Sequence, residues 1–133
     1  MTITLYTADG LSETFDNSHE DLTTKGHFVK ADVSAGTWIL YTYADYNNAQ
    51  NGGSPSNYKV LKAGDTDETI ATVNGSLYLV AKATEGYILF DHVYYGGKRK
   101  VRVARVKPRL NRKTSPRYVS SAGICFSVTV TVC

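Results

Sequence analysis

Proline, cysteine and long apolar runs are scarce in this 133-residue sequence. It has three prolines and two cysteines. No hydrophobic stretch approaches the length of about 18 residues that a membrane-spanning helix needs, so we expect no membrane insertion. The N-terminal residues lack a basic stretch followed by an apolar one, so no signal peptide is predicted. The expected compartment is the cytoplasm, with the nucleus as an alternative.

Metal-binding and catalytic patterns are also missing. Cys125 and Cys133 have no histidine at metal-ligand spacing, and they do not form the disulfide framework of a small secreted domain. No serine lies in a strand-turn-helix elbow, and Cys125 would meet His92 only if the fold joined them. We therefore predict neither an enzyme nor a small-molecule substrate.

Acidic residues are absent from the last part of the chain. Residues 1–97 contain five lysines and all twelve acids, whereas residues 98–133 contain ten basic residues and no acid. The formal net charge of +3 therefore hides −7 in the first segment and +10 in the second. Such asymmetry is typical of proteins with an anionic partner.

What the sequence does contain is strand-forming residues, with 15 Thr, 13 Val, 10 Tyr and 5 Ile. No window of a dozen residues has apolar positions at helical spacing, whereas alternation with a period of two recurs. Val29, Ala31 and Val33, for example, are predicted to face a core, with Phe28 on the opposite face. Glycine-containing turns separate these runs, so we predict an all-β, antiparallel sandwich.

One spacing occurs twice: an aromatic residue, four residues, a second aromatic residue, one residue, then glycine or asparagine. The two occurrences are Tyr41, Tyr46 and Asn48, and then Phe90, Tyr95 and Gly97. Glycine and asparagine both tolerate the left-handed backbone that a sharp bend requires, so we expect Asn48 to replace the usual glycine there. The polar residues 47–57 that follow are predicted to form a mobile, exposed hairpin tip.

This spacing resembles the hairpin signature of the βγ-crystallin superfamily. The resemblance implies a Greek-key β-sandwich in which residues 1–80 form one domain from two keys, about 1–35 (first key) and 36–80 (second key). Residues 87–133 resemble a third Greek-key-like segment (third key), basic and incomplete. Its last strand, with Phe126, Val128, Val130 and Val132 on one face, must pack on the first domain, pair with another molecule or stay weakly ordered.

Members of this family often bind calcium through paired loops of acidic and hydroxyl residues. In the present sequence the loop 71–76 has lost its acids, and Pro116 and Arg117 occupy the acid positions of the loop 116–121. Two alternatives follow: weak calcium binding, or loops that only preserve the fold. The candidate calcium ligands are Glu20, Asp21, Thr23, Thr24 and the carbonyl of Thr42.

The basic segment predicts a ribbon with like charges on one face. Its six candidate residues for polyanion binding are Lys98, Lys100, Arg102, Arg105, Lys107 and Arg109. Two interpretations remain. The one we favour is contact with the acidic segment 1–97 or self-association through segment 98–133. The other is binding of an external polyanion. The resemblance implies a non-enzymatic structural protein with weak or vestigial calcium binding, and the alternative is a polyanion-binding or self-assembly module acting through residues 98–117.

Overall fold

A computed structural model describes residues 1–80, 87–102 and 125–127, and these ranges consist of short strands joined by turns. The strands in these ranges are β1 (Ile3–Thr7), β2 (Ser12–Phe15), β3 (Phe28–Val33), β4 (Thr37–Tyr41), β5 (Tyr58–Lys62), β6 (Glu68–Thr69), β7 (Ser76–Val80), β8 (Tyr87–Phe90), β9 (Arg99–Arg102) and β10 (Cys125–Ser127). Two short 3₁₀ turns, Asp45–Asn47 and Pro55–Asn57, lie between β4 and β5.

The strands form three antiparallel sheets with the orders β2-β1-β3-β6, β5-β4-β7 and β10-β8-β9, here called the first, middle and third sheets. Strand β6 of the second key pairs with β3 of the first key. In return, His19 of the first key forms a bridge with Leu77 of β7. This exchange between neighbouring keys confirms the predicted antiparallel Greek-key sandwich.

The core between the first and middle sheets is mostly aliphatic. Trp38, Leu40 and Leu77 point from the middle sheet towards Ile3 and Leu5 of β1, and all five side chains are fully buried. Burying each of them contributes on the order of 1.5–3 kcal/mol to the free energy of unfolding. The indole nitrogen of Trp38 donates to the carbonyl of Ala35 at 3.0 Å, so its polar group is satisfied.

The predicted inward face of β3 is partly wrong. Phe28 is buried and Val29 only half-buried, whereas Ala31 and Val33 are buried as expected. The register between β1 and β3 shifts at this point. Tyr6 pairs with Lys30, and the next residue, Thr7, pairs with Phe28. Val29 is the extra residue of this bulge, and a bulge reverses the alternation beyond it.

The middle sheet is buried on both faces. Ile39 and Tyr41 of β4 point away from the first core and pack against Ile88 and Phe90 of β8. Strand β4 therefore reads as a continuous apolar run, as strands covered on both faces do. The third sheet forms a further layer on this outer face of the middle sheet.

The pairing of the third sheet lies within the chain. Cys125, Phe126 and Ser127 pair with Leu89, Ile88 and Tyr87 of β8. Residues 125–127 therefore pair within their own chain, with another strand of the third key. Residues 128–132 lie outside the described ranges.

Candidate functional site

The two predicted aromatic pairs are each in contact at a hairpin corner. The rings of Tyr41 and Tyr46 meet edge to face at 5.6 Å, and those of Phe90 and Tyr95 do so at 5.4 Å. Tyr46 and Tyr95 both have left-handed backbones, with φ of 56° and 58°. We name the residues 41–48 the second corner and the residues 90–97 the third corner.

The expectation for Asn48 is wrong. Its φ is −62°, a right-handed conformation, whereas Gly97 at the equivalent position of the third corner has a φ of +79°. In the second corner the three residues before position 48 are all left-handed, and the last of them is Asn47, with a φ of 58°. The buried side chain of Asn47 accepts from the backbone N–H of Tyr43 at 3.0 Å and donates to the carbonyl of Asn57 at 2.8 Å. These bonds offset the cost of the left-handed backbone at Asn47.

The prediction of an exposed tip at residues 47–57 is also wrong in part. Asn47 and Gly52 are buried, and Gly52 lies so close to the third corner that an added Cβ would meet the carbonyl oxygen of Val93. Ser54 and Asn57 cap the second 3₁₀ turn reciprocally, with a bond of 2.8 Å from the Ser54 N–H to the Asn57 side chain. The polar loop 47–57 therefore contributes backbone surface to the contact with the third corner.

Hydrogen bonds join the two corners directly. The hydroxyl of Tyr41, which is fully buried, donates to the carbonyl of Tyr95 at 2.7 Å. In the other direction the N–H of Gly97 donates to the carbonyl of Tyr46 at 2.8 Å. Bonds of this kind impose an orientation that apolar packing alone does not impose.

Arg99 of β9 inserts between two tyrosines of the second key. Its guanidinium carbon lies 4.1 Å from the ring centroid of Tyr46 and 3.9 Å from that of Tyr78. Burial raises the pKa of both phenols, and the positive charge of Arg99 opposes that rise. Arg99 was missed as a candidate. Strand alternation places its side chain on the other face of β9 from Lys98 and Lys100, towards the second key.

The structure brings only some of the candidate calcium ligands together. Thr23 and Thr42 line one shallow depression between the loops 19–27 and 71–76. Glu20, Asp21 and Thr24 are exposed and lie outside its lining. The residues that line the depression are Thr23, Gly26, His27, Thr42, Ala71, Thr72 and Asn74.

The donors in this depression do not fit a tight calcium site. Its described lining contains no carboxylate, and calcium in proteins prefers several oxygen ligands that include carboxylates. Thr42 donates its hydroxyl to the carbonyl of Thr72 at 2.8 Å. Both the N–H and the hydroxyl of Thr23 donate to Asp21, and these bonds lower the pKa of the Asp21 carboxyl. Thr23 and Asp21 thus bind each other, and the hydroxyl of Thr42 binds a backbone carbonyl.

Of the six candidate residues for polyanion binding, Lys98 and Lys100 are exposed beside and on β9. Neither forms an ion pair with an acid in the described part of the chain. Arg102 is the last residue of β9, and Arg105, Lys107 and Arg109 lie outside the described ranges.

Within 1–80, 87–102 and 125–127 there is no cluster of three or more His, Cys, Asp or Glu residues able to hold a metal ion. No helix in these ranges is long and apolar enough to cross a membrane.

Comparison with solved structures matches the chain to Geodin, a βγ-crystallin from Geodia cydonium, with a TM-score of 0.66 and 28% sequence identity. The match covers 84% of this chain. This similarity supports the βγ-crystallin superfamily for the chain. The chain spans 66% of the length of Geodin. No family model and no curated protein matches it.

Proposed function

We propose that this chain is a βγ-crystallin-like, non-enzymatic structural protein whose loops are held by its own hydrogen bonds, with calcium binding weak or vestigial. The observation that carries the proposal is the bonding at the paired loops. There the N–H of Leu22 donates to the carbonyl of Gly75 at 2.8 Å, and Ser76 donates to the carbonyl of Tyr43 at 2.7 Å. Ser76 also accepts from the N–H of Tyr46 at 3.0 Å.

These bonds support the proposal because they tie the loops to the second corner without an ion. Ser76 is fully buried, and its hydroxyl connects the backbone on both sides of the turn at Asp45. The N–H of Asp45 in turn donates to the carbonyl of Glu20 at 2.7 Å. A carbonyl that already accepts such a bond is a poorer ligand for a cation.

A calcium titration tests the proposal. A site with a dissociation constant of about 10 μM would, at about 1 mM calcium, stabilise the fold by about 2.7 kcal/mol. For a chain of this size that corresponds to a rise in Tm of about 10 °C. We expect no such rise and no heat of binding by calorimetry, with magnesium at the same concentration as the ionic-strength control.

A rise in Tm of several degrees that is specific to calcium would overturn this proposal. The variant Asp21→Asn then locates the effect, since it keeps the side-chain shape and removes the charge. If Asp21→Asn abolished a calcium-specific rise, the loop 19–24 would be a working site.

The second candidate function is polyanion binding through the basic segment. Lys98 and Lys100 favour it because they are exposed, lie on one side of β9 and have no acidic partner among the described residues. Arg99 points the other way, into the tyrosines, so contact with the body does not use these two lysines.

Retention on heparin tests this second candidate. We expect the double variant Lys98→Gln, Lys100→Gln to elute at lower salt than the unchanged chain. Each lost contact with an anionic group reduces the slope of log binding constant against log salt concentration by about one. Lys25→Gln with Lys62→Gln is the matched control, because it removes the same charge from the acidic segment. Equal elution of the two double variants would contradict a role for Lys98 and Lys100.

A further inference from the structure

The second and third corners meet through equivalent positions of one motif. Tyr46 and Tyr95 are both second aromatics, and Asn48 and Gly97 both occupy the last position. Asn48 and Gly97 face each other: a Cβ added to Gly97 would lie 3.0 Å from the side-chain oxygen of Asn48. These two equivalent positions thus share one small space. The side chain of Asn48 fills it, and Gly97 leaves it open.

The side chain of Asn48 is anchored in that space by the third corner. The Nε2 of His92 donates to the Oδ1 of Asn48 at 3.1 Å. The same histidine borders Gly97, because an added Cβ there would lie 2.6 Å from the ring carbon Cδ2 of His92. Any side chain at position 97 would therefore displace either His92 or Asn48.

The other contacts between the second and third corners also differ in what each corner contributes. Tyr41 supplies a hydroxyl to the third corner, whereas Phe90 at the equivalent position has none to return. The carbonyl of Tyr46 instead receives the N–H of Gly97. Gly52 and Gly96 approach so closely that a Cβ on Gly96 would lie 2.5 Å from the Cα of Gly52.

We infer that Asn48 and Gly97 form a complementary pair that determines which corner the outer face of the middle sheet accepts. The partner that fits is a corner with glycine at the last motif position and a hydrogen-bond donor at the position of His92. A second copy of the second corner does not fit, since it would bring one Asn48 against another. The pair thus favours the third corner of the same chain over homotypic contact.

This inference concerns pairing and is independent of calcium and of polyanions. A double-mutant cycle in the full chain tests it, with Gly97→Ala, Asn48→Ala and the two combined. Alanine fits the right-handed backbone of position 48 without strain. Gly10→Ala is the matched control, because Gly10 has a φ of +87° and no described heavy atom within 4 Å of an added Cβ. It carries the backbone cost of a left-handed alanine without the contact.

We expect Gly97→Ala to lower Tm by at least about 5 °C more than Gly10→Ala does. In the combined variant Asn48→Ala should restore part of that loss, because it removes Oδ1 and frees the ring of His92 to move. If Gly97→Ala does not fold, folding of the combined variant supports the inference.

Three results would overturn the pairing role. The first is a loss for Gly97→Ala equal to that of Gly10→Ala. The second is a combined loss at least as large as the sum of the two single losses. The third is that neither Gly97→Ala nor the combined variant folds.

Discussion

The middle sheet presents two faces that differ in chemistry. The face towards the first sheet carries Trp38, Leu40 and Leu77, which pack with aliphatic neighbours. The face towards the third sheet carries Tyr41 and Tyr78, which meet a backbone carbonyl, aromatic rings and a guanidinium group. Apolar contacts stabilise in many relative orientations of the two surfaces. A hydroxyl donor or a stacked cation requires its partner group in one position. The first face therefore holds the sandwich together, and the second selects what docks on it.

The largest expected effect comes from the aliphatic face. Trp38→Ala removes a fully buried ring and should lower the free energy of unfolding by about 3–5 kcal/mol, because the cavity cannot close. Urea unfolding followed by circular dichroism measures it. Its neighbour Ile39, on the opposite face, is the control: Ile39→Ala should cost about 2–4 kcal/mol. A larger loss for Ile39→Ala would reverse the ranking of the two faces.

The tyrosine face predicts sensitivity to alkaline pH. Burial raises the pKa of Tyr41, Tyr46 and Tyr78 above the ordinary value of about 10. An unfolded chain then loses these protons first, so the stabilisation is complete below pH about 10 and falls as pH rises towards the folded-state pKa values. Urea unfolding at a series of pH values, with phenolate absorbance on the same samples, measures this loss.

Tyr41→Phe separates the cause. It removes the most deeply buried of the three phenols and should make the decline above pH about 10 shallower. Tyr43→Phe changes an exposed phenol and is the control. Stability that stays level through this pH range would mean that these hydroxyls ionise without disturbing the interface.

Local features of this fold could be predicted from the sequence. The aromatic spacing at Tyr41 and Tyr46 acts within a single hairpin, so it is visible in a short window. The conformation of Asn48 was not correctly predicted, because the left-handed backbone ends at Asn47, whose side chain bonds to Tyr43 and Asn57. Those partners depend on how the following loop closes, and a spacing rule does not contain that information.

Docking of the third sheet was harder to predict because its contacts span distant parts of the chain. The one local sign was the unbroken apolar run from Trp38 to Tyr41, which indicates a strand covered on both faces. Arg99 was not among the candidate residues, and only the fold brings it to Tyr46 and Tyr78. The calcium candidates were judged by loop composition, whereas their hydrogen bonds depend on how the two loops meet.

The smallest expected effect lies at Arg99, and it separates stacking from charge. Arg99→Lys keeps the positive charge but loses the planar group that lies between Tyr46 and Tyr78, so we expect a loss of about 1 kcal/mol, or about 4 °C in Tm. Lys100→Arg, on the exposed side of β9, is the control and should leave Tm unchanged. Because stacking acts at short range, the loss in Arg99→Lys should persist in about 1 M salt, where exposed ion pairs are screened. A loss that disappears in salt would show that Arg99 acts through electrostatic interactions, and the tyrosine face would then select its partner by hydrogen bonds alone.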